Sequence, residues 1–474
     1  MDNFEYKKRK KLRKEPLYIM ICLLCLVVGG AGGYFWRGQG TEKTTVKGQT
    51  IFDEVIQIIE NDFLDTTDEK TDLKQRLLNG AIAGLGDPYS TYFTSQEAQE
   101  YGATINGSLV GVGISFVTFD AGGVVLDVYK NTPAYKAGVL AGDLITHVQG
   151  TSVAGYTSEK IKEMVVGEAN SEVTLGLLRN GKKMEVKMKR ESVETSVSSE
   201  IRTVGKKKVG YLKITTFGEP TASIVEEALK SFQEQSVNDL VIDLRGNSGG
   251  YLTAANNILD MLLPENEIMY QMENKQGKRM TYKASDRKKY HFENGYILMN
   301  DGSASASEIL ISGLKEVLNY QLIGTKTFGK GIAQNQKTLS DSSELKYTNS
   351  KWLTPKGNWI HKKGIEPDYE VKEKDLGDFT IGKMEKVYKY DQVDNNIQYM
   401  QEMLKELGYA VDREDGYFSK KTQEALKAFE KRYNLKVDGQ FDKNDLAYLI
   451  NALTYHLYQE NEDKPYQKVE ELLK

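Results

Sequence analysis

The sequence predicts a multidomain chain of α/β and α+β modules. In order these are an N-terminal transmembrane helix, a helical segment, a β-barrel module, an α/β core and a small three-helix C-terminal domain. Three observations carry this reading. At 474 residues the chain holds about three domains. Short apolar runs alternate with helix-period segments across residues 200–375, the pattern of a layered sheet with covering helices. A run of 20 uncharged residues, 17–36, follows a basic cluster.

That cluster is Lys7, Lys8, Arg9, Lys10, Lys11, Arg13 and Lys14. The run after it spans about 30 Å as a helix, one hydrocarbon core. Tyr34, Phe35 and Trp36 suit an interfacial belt, and the basic side stays inside. Residues 1–16 thus read as a cytoplasmic segment, 17–36 as the anchor and 37–50 as a polar linker. The run is longer than a usual signal-peptide core, which favours an uncleaved anchor. Cys22 and Cys25 both lie inside it, in no convincing lipobox, and no disulfide framework exists.

Residues 51–104 read as helices: Val55, Ile58 and Ile59 share one face, and Leu73, Leu77, Ile82 and Leu85 another. Gly86, Asp87 and Pro88 make a turn after Leu85. Residues 105–190 alternate short apolar strands with turns, as a small barrel does.

The α/β core, residues 191–380, carries the chemistry. Strands are expected at 209–214, 240–244, 296–299 and 320–323, and helices at 221–235, 251–263 and 305–318. Asn300 to Ile309 read NDGSASASEI at a strand-to-helix turn. A serine there can be a nucleophile, with the next N–H aimed at an oxyanion. An N-cap is the plainer use of one serine, but three alternating with alanine exceed what capping needs. A serine needs a base. Lys330 stands between Gly329 and Gly331, and Gln334 follows. Lysine serves only if burial lowers its pKa, by about 3.4 units to reach neutrality, and Phe328 and the two glycines are neighbours without charge. In a third stretch the strand at 240–244 runs into Gly249 and Gly250 before a helix, a turn where backbone N–H groups can face a ligand.

In this order the three motifs resemble the carboxyl-terminal processing (tail-specific) serine peptidases, over about residues 50–375. The resemblance makes Ser305 the nucleophile, Lys330 the base and Gln334 its companion. It draws the oxyanion N–H groups from Ala306, Gly249 and Gly250, and places Glu308 and Thr327 in support. The segment 352–371 is similar to that family's closing strands. Residues 105–190 resemble a PDZ domain, which would bind a protein's carboxyl-terminal tail as an added strand. Val110, Gly111, Val112, Gly113 and Ile114 would be its carboxylate loop, and Ile161, Met164 and Val165 its side-chain pocket. Residues 388–452 resemble a peptidoglycan-binding domain, in which DGYF at 415–418 recurs as DGQF at 438–441. Residues 453–474 read as a charged tail.

The resemblance implies a membrane-anchored serine endopeptidase that cleaves exported or membrane proteins near their C-termini. It would sit in the bacterial cell membrane, single-pass, with its catalytic part extracytoplasmic. The expected partners are protein tails, the membrane, peptidoglycan and a second copy in a homodimer. Net charge is −4, with +4 on residues 1–36 and −8 on the rest, which argues against nucleic acid. The four histidines are scattered without HExxH or CxxC spacing, so no metal or other cofactor is expected. Residues 324–331 nearly match a P-loop, but Gly331 stands where a Mg²⁺-binding hydroxyl belongs. Two rivals stay open: a catalytically inactive PDZ and wall-binding adaptor, and a Ser-His-Asp hydrolase using His291 or His361.

Overall fold

The computed structural model describes residues 49–64, 72–106, 108–372, 376–379, 383–460 and 463–474. The expected anchor, residues 17–36, and the basic segment before it lie outside the described residues. Among the described residues no helix is long and apolar enough to cross a membrane. The chain divides into two compact units, residues 1–78 and 79–474. In the first, α1 (Gln49–Asp62) leaves Val55 and Ile58 exposed. Helix α2 (Leu73–Ala83) begins in the first unit and ends in the second.

Within the second unit, residues 84–106 are not wholly helical. A short strand, β1 (Thr91–Phe93), precedes α3 (Ser95–Asn106). The barrel module follows: β2 (Ser108–Gly111), β3 (Ile114–Phe119), β4 (Gly122–Val128), α4 (Pro133–Lys136), β5 (Leu144–Val148), β6 (Thr151–Ser152), α5 (Ser158–Val165), β7 (Glu172–Arg179) and β8 (Lys182–Lys189). Its main sheet runs β3-β4-β5-β7-β8, so β3 has one unpaired edge in the sheet. Strand β9 (Glu191–Glu194) pairs back with β2 and leads into the core.

The core sheet is β10 (Val197–Val204), β11 (Lys207–Ile214), β12 (Asp239–Asp243), β15 (Asn294–Met299), β16 (Gln321–Gly324) and β19 (Tyr369–Glu370), in that order. β11, β12, β15, β16 and β19 are parallel. The alternating apolar runs do form this sheet, and α6 (Thr221–Glu234), α7 (Leu252–Leu262) and α8 (Ala306–Leu318) close one face over a core that includes Leu212, Ile242 and Ile297. A second sheet escapes the sequence pattern: β13 (Ile268–Asn274), β14 (Arg279–Lys283), β17 (Ile332–Thr338) and β18 (Glu344–Leu353), with β1 on its edge. β17 carries Gln334, Asn335, Gln336 and Lys337 in succession, so no apolar alternation marks it. Of the expected closing strands, residues 352–371 supply only the end of β18 and the two residues of β19.

Helices α9 (Asn395–Glu406), α10 (Lys420–Arg432) and α11 (Lys443–Tyr455) form the C-terminal bundle. Ile397, Met400, Leu404, Leu426 and Phe429 are its core, as their helical spacing suggests. That core is continuous with Val124, Leu144 and Leu178 of the barrel. Asn451 ties the seam, donating to the carbonyls of Leu178 (2.7 Å) and Gly142 (3.2 Å). The charged tail packs back on the core. Its last helix, α12 (Lys464–Leu473), buries Tyr466, Val469 and Leu473 on the other face of the core sheet, against Val209, Val241 and Leu298.

One buried acid makes the bundle pH-sensitive. Asp445 closes a capping box with Asp442 at the start of α11. Burial, then the nearby charges of Asp442 and Glu430, push its carboxyl up to about 8. The folded state therefore holds a proton that the unfolded chain releases near pH 4, and stability falls as pH rises toward 8. Asp445→Asn keeps an acceptor oxygen without the charge. Thermal unfolding between about pH 6 and 9 should slope downward in the parent and be flatter in the variant; parallel curves would rule this acid out as the cause.

Candidate active site

Strand β15 is buried from Gly295 to Met299 and delivers the serine run to the mouth of a cavity. The three serines have different uses. Ser303 is fully buried and donates to the Leu244 carbonyl at 2.8 Å. Ser307, also buried, donates to the Asn247 carbonyl at 2.8 Å. Both sew the serine turn to the turn after β12. Ser305 lies between them, half-buried and lining the cavity, with φ 57° and ψ −113°. Such a conformation costs a non-glycine residue about 1–3 kcal/mol, and persists only where surrounding bonds impose it.

Those bonds centre on Glu308, whose side chain is completely buried. Its Oε2 accepts the Ser305 N–H (2.9 Å) and the Lys330 N–H (2.8 Å). Its Oε1 accepts the Gly329 N–H (2.7 Å) and the Thr327 hydroxyl (2.6 Å). One carboxylate thus binds the first turn of α8 to the loop 327–330. Thr327 in turn accepts the Ile365 N–H at 2.7 Å. Two tryptophans hold the loop from behind: Trp352 Nε1 donates to the Lys330 carbonyl and Trp359 Nε1 to that of Gly331, each at 2.7 Å. The flanking glycines are sterically required. A Cβ at Gly329 would stand 2.7 Å from Gly364 N, and one at Gly331 2.7 Å from His361 N. The chain then continues as β17, not as a helix, so no P-loop forms.

Ser305, Ala306, Lys330 and the glycine turn line one cavity of about 890 Å³. Burial first, then the Lys346 ammonium, hold the Lys330 amine below the usual lysine range, while Asp87 and Glu308 oppose. The amine lies 4.8 Å from the centre of the Tyr89 ring. Phe328, read as a shielding neighbour, is instead 56% exposed at the rim, because its N–H is drawn to the Ser303 carbonyl (3.1 Å). Gln334 lines the cavity but donates to Thr348 Oγ1 at 3.0 Å on the facing strand, so its side chain is not on the lysine. A Cβ at Gly249 would fall 2.9 Å from the Ala304 carbonyl oxygen, which is why the turn beside the serine needs glycine. The Gly249 N–H is occupied, donating to Asn247 Oδ1 at 2.8 Å. Among the described residues the N–H groups of Ala306 and Gly250 make no such bond. Neither candidate histidine lines the cavity. His291 is exposed, and His361 stacks on Trp359 behind the lysine loop.

Comparison with known proteins decides the family. The profile of Peptidase family S41 matches residues 208–371, that of a PDZ domain 110–189, and that of a putative peptidoglycan binding domain 393–449. The Carboxy-terminal processing protease CtpB of Bacillus subtilis is 35% identical over 401 residues, 82% of each chain. CtpA of the same organism is 32% identical over 90% of this chain and 92% of its own. The chain belongs to peptidase family S41. The solved photosystem II D1 C-terminal processing protease, at 28% identity, covers 69% of this chain and 87% of its own, with a TM-score of 0.45. By that family and these Bacillus subtilis relatives, the S41 chain is a serine-type peptidase of the carboxy-terminal processing kind, with PDZ and peptidoglycan-binding modules attached.

In this S41 peptidase the residues read as the PDZ carboxylate loop divide between a strand and a turn. Val110 and Gly111 belong to β2 and pair with Ser192 and Glu191. The turn itself is Val112 and Gly113 (φ 81°), leading into Ile114 at the start of β3. Ile161 and Val165 are buried in the domain's own core, and only Met164 is partly open. Among the described residues the outer edge of β3 pairs with no strand.

Sequence reasoning missed three residues at the S41 site. Tyr89 and Asp87 come from the Gly-Asp-Pro turn. Asp87 accepts the Ser90 hydroxyl at 2.6 Å and acts on the lysine through its charge. Lys346 lies on β18 and donates to the Tyr101 hydroxyl at 3.3 Å. The turn residues were visible in the sequence but bland. Lys346 sits in a polar strand and carries no signal at all.

Proposed function

We propose that the chain is a membrane-anchored endopeptidase that cleaves exported or membrane proteins near their carboxyl termini with a Ser305/Lys330 dyad. The observation that carries this is the Glu308 clamp, which fixes the strained Ser305 turn and the Lys330 loop around one cavity. The PDZ edge strand captures a tail, and the turn at Val112 and Gly113 faces its terminal carboxylate. The neutral Lys330 amine takes the Ser305 proton as Oγ attacks the peptide carbonyl carbon. The oxyanion accepts from Ala306 and Gly250 N–H. Lys330 then returns the proton to the leaving amine, and water hydrolyses the ester at Ser305. The apolar run at 17–36 anchors the enzyme with its catalytic part outside the cytoplasm, and the C-terminal bundle holds it near peptidoglycan.

The test uses a peptide ending in a free carboxylate and its C-terminal amide, with cleavage products identified by mass spectrometry. The free acid should be cut with the lower KM, and Ser305→Ala should cut neither. Turnover by purified Ser305→Ala at the parent rate would remove Ser305 as nucleophile. Equal KM for acid and amide would remove the carboxylate-capture role.

A further inference from the structure

The N-cap of the C-terminal helix α12, Asp463, reaches the turn that leads to the glycine pair. That carboxylate accepts from Arg245 at both oxygens, Nη1 to Oδ1 and Nη2 to Oδ2, each at 2.9 Å. Arg245 faces a second carboxylate on its other side. Asp243, fully buried at the end of β12, receives Nε at 3.0 Å and Nη2 at 2.7 Å. It also receives the Tyr211 hydroxyl at 2.5 Å. A guanidinium so placed is fixed in its plane by two forks.

What Arg245 fixes is the turn that carries the glycine pair. Its own N–H donates to Asp243 Oδ1 at 3.0 Å. The next residue, Gly246, donates to Asn300 Oδ1 at 2.8 Å, and the same oxygen accepts Gly302 N–H at 3.1 Å. One asparagine oxygen thus joins the first residues of both turns. The two run on in contact through Ser303 and Ser307 to Gly249 and Ser305. Movement of Arg245 would therefore move the glycine turn against the serine. The helix bearing Asp463 is itself held by Tyr466, Val469 and Leu473 on the sheet, and by Lys207, whose Nζ donates to the Leu473 carbonyl at 2.7 Å.

We infer that Asp463 is a positioning residue for the peptidase reaction: the C-terminal helix supplies the second half of the clamp on Arg245 and so sets the glycine turn against Ser305. This rests on Ser305 being the nucleophile. Its signature is a fall in kcat with tail capture untouched, since neither Asp463 nor Arg245 lines the cavity.

The experiment compares Asp463→Asn, Asp463→Glu, Arg245→Lys and the Asp463→Asn/Arg245→Lys double variant in the full chain, with kcat referred to folded enzyme by circular dichroism. Asp463→Asn should lower kcat roughly tenfold, the scale of a slight misplacement of reacting groups. KM for the tail peptide should stay within about twofold, and Asp463→Glu should recover most of the rate. The double variant should be no slower than Arg245→Lys alone, because both act through one contact. Unchanged kcat in Asp463→Asn, or losses that multiply in the double variant, would overturn the inference. Ser305→Ala, run alongside, separates the two readings: if it retains turnover the dyad fails, and if only the Asp463 results fail the dyad stands.

Discussion

Lys330→Met should bind tail peptide like the parent yet turn over roughly 10²–10⁴-fold slower, the range lost with a general base. Methionine keeps the reach and apolar stem of lysine but cannot take a proton. The parent's rate should also carry the lysine in its pH profile. Only the neutral amine is a base, so kcat/KM rises with pH through the Lys330 pKa, which burial and Lys346 hold below the ordinary lysine value. The neighbours supply the sign test. Lys346→Met removes a repelling cation, so Lys330 keeps its proton longer and the rising limb moves to higher pH. Asp87→Asn removes an attracting anion and moves it to lower pH. A limb that ignores both substitutions would belong to another group. Stability follows the same linkage. The folded state binds fewer protons than the unfolded chain between the depressed pKa and about 10.4, so Lys330 makes stability rise with pH across that window.

Glu308→Gln should be the most damaging isosteric change in the chain. Each oxygen of Glu308 takes two donors, and four converge on it. An amide turns one oxygen into a donor, which then faces either Ser305 and Lys330 N–H or Gly329 N–H in a site closed to water. Leaving such buried groups unpaired costs on the order of 3–5 kcal/mol. The loss falls on the two segments that must meet, so activity should drop with thermal stability. Thr327→Val, which removes one of the four donors, should be milder on both counts. A Glu308→Gln enzyme with parental melting and turnover would show that the serine turn does not depend on this carboxylate.

The parallel core was legible because its strands are buried on both faces and read as apolar runs: Val209, Val241 and Ile297 all have no exposure. The site was legible for a different reason. Gly329 and Gly331 are forced by backbone contacts, and Ser303 and Ser307 by bonds to carbonyls, so packing demands and catalytic demands fall on one short motif. The second sheet was not legible, because Gln334, Asn335, Gln336 and Lys337 form a strand without an apolar face. Gln334 shows a further limit. It lines the cavity, but its hydrogen bond is decided by Thr348, fourteen positions away. Ile161 and Val165 had the spacing of a pocket wall and the fate of core residues.

The seam where the barrel strands meet the C-terminal bundle governs how this chain can be dissected. Val124, Leu144 and Leu178 find their cover in a module that begins some two hundred residues later in the chain. A fragment cut at the domain borders would return them to water, and each such aliphatic side chain forfeits about 1.5–3 kcal/mol. Excised peptide-capturing fragments should therefore be sticky and weakly folded. The smallest working piece keeps everything from the Gly-Asp-Pro turn, which brings Asp87 and Tyr89 to the site, to the last helix.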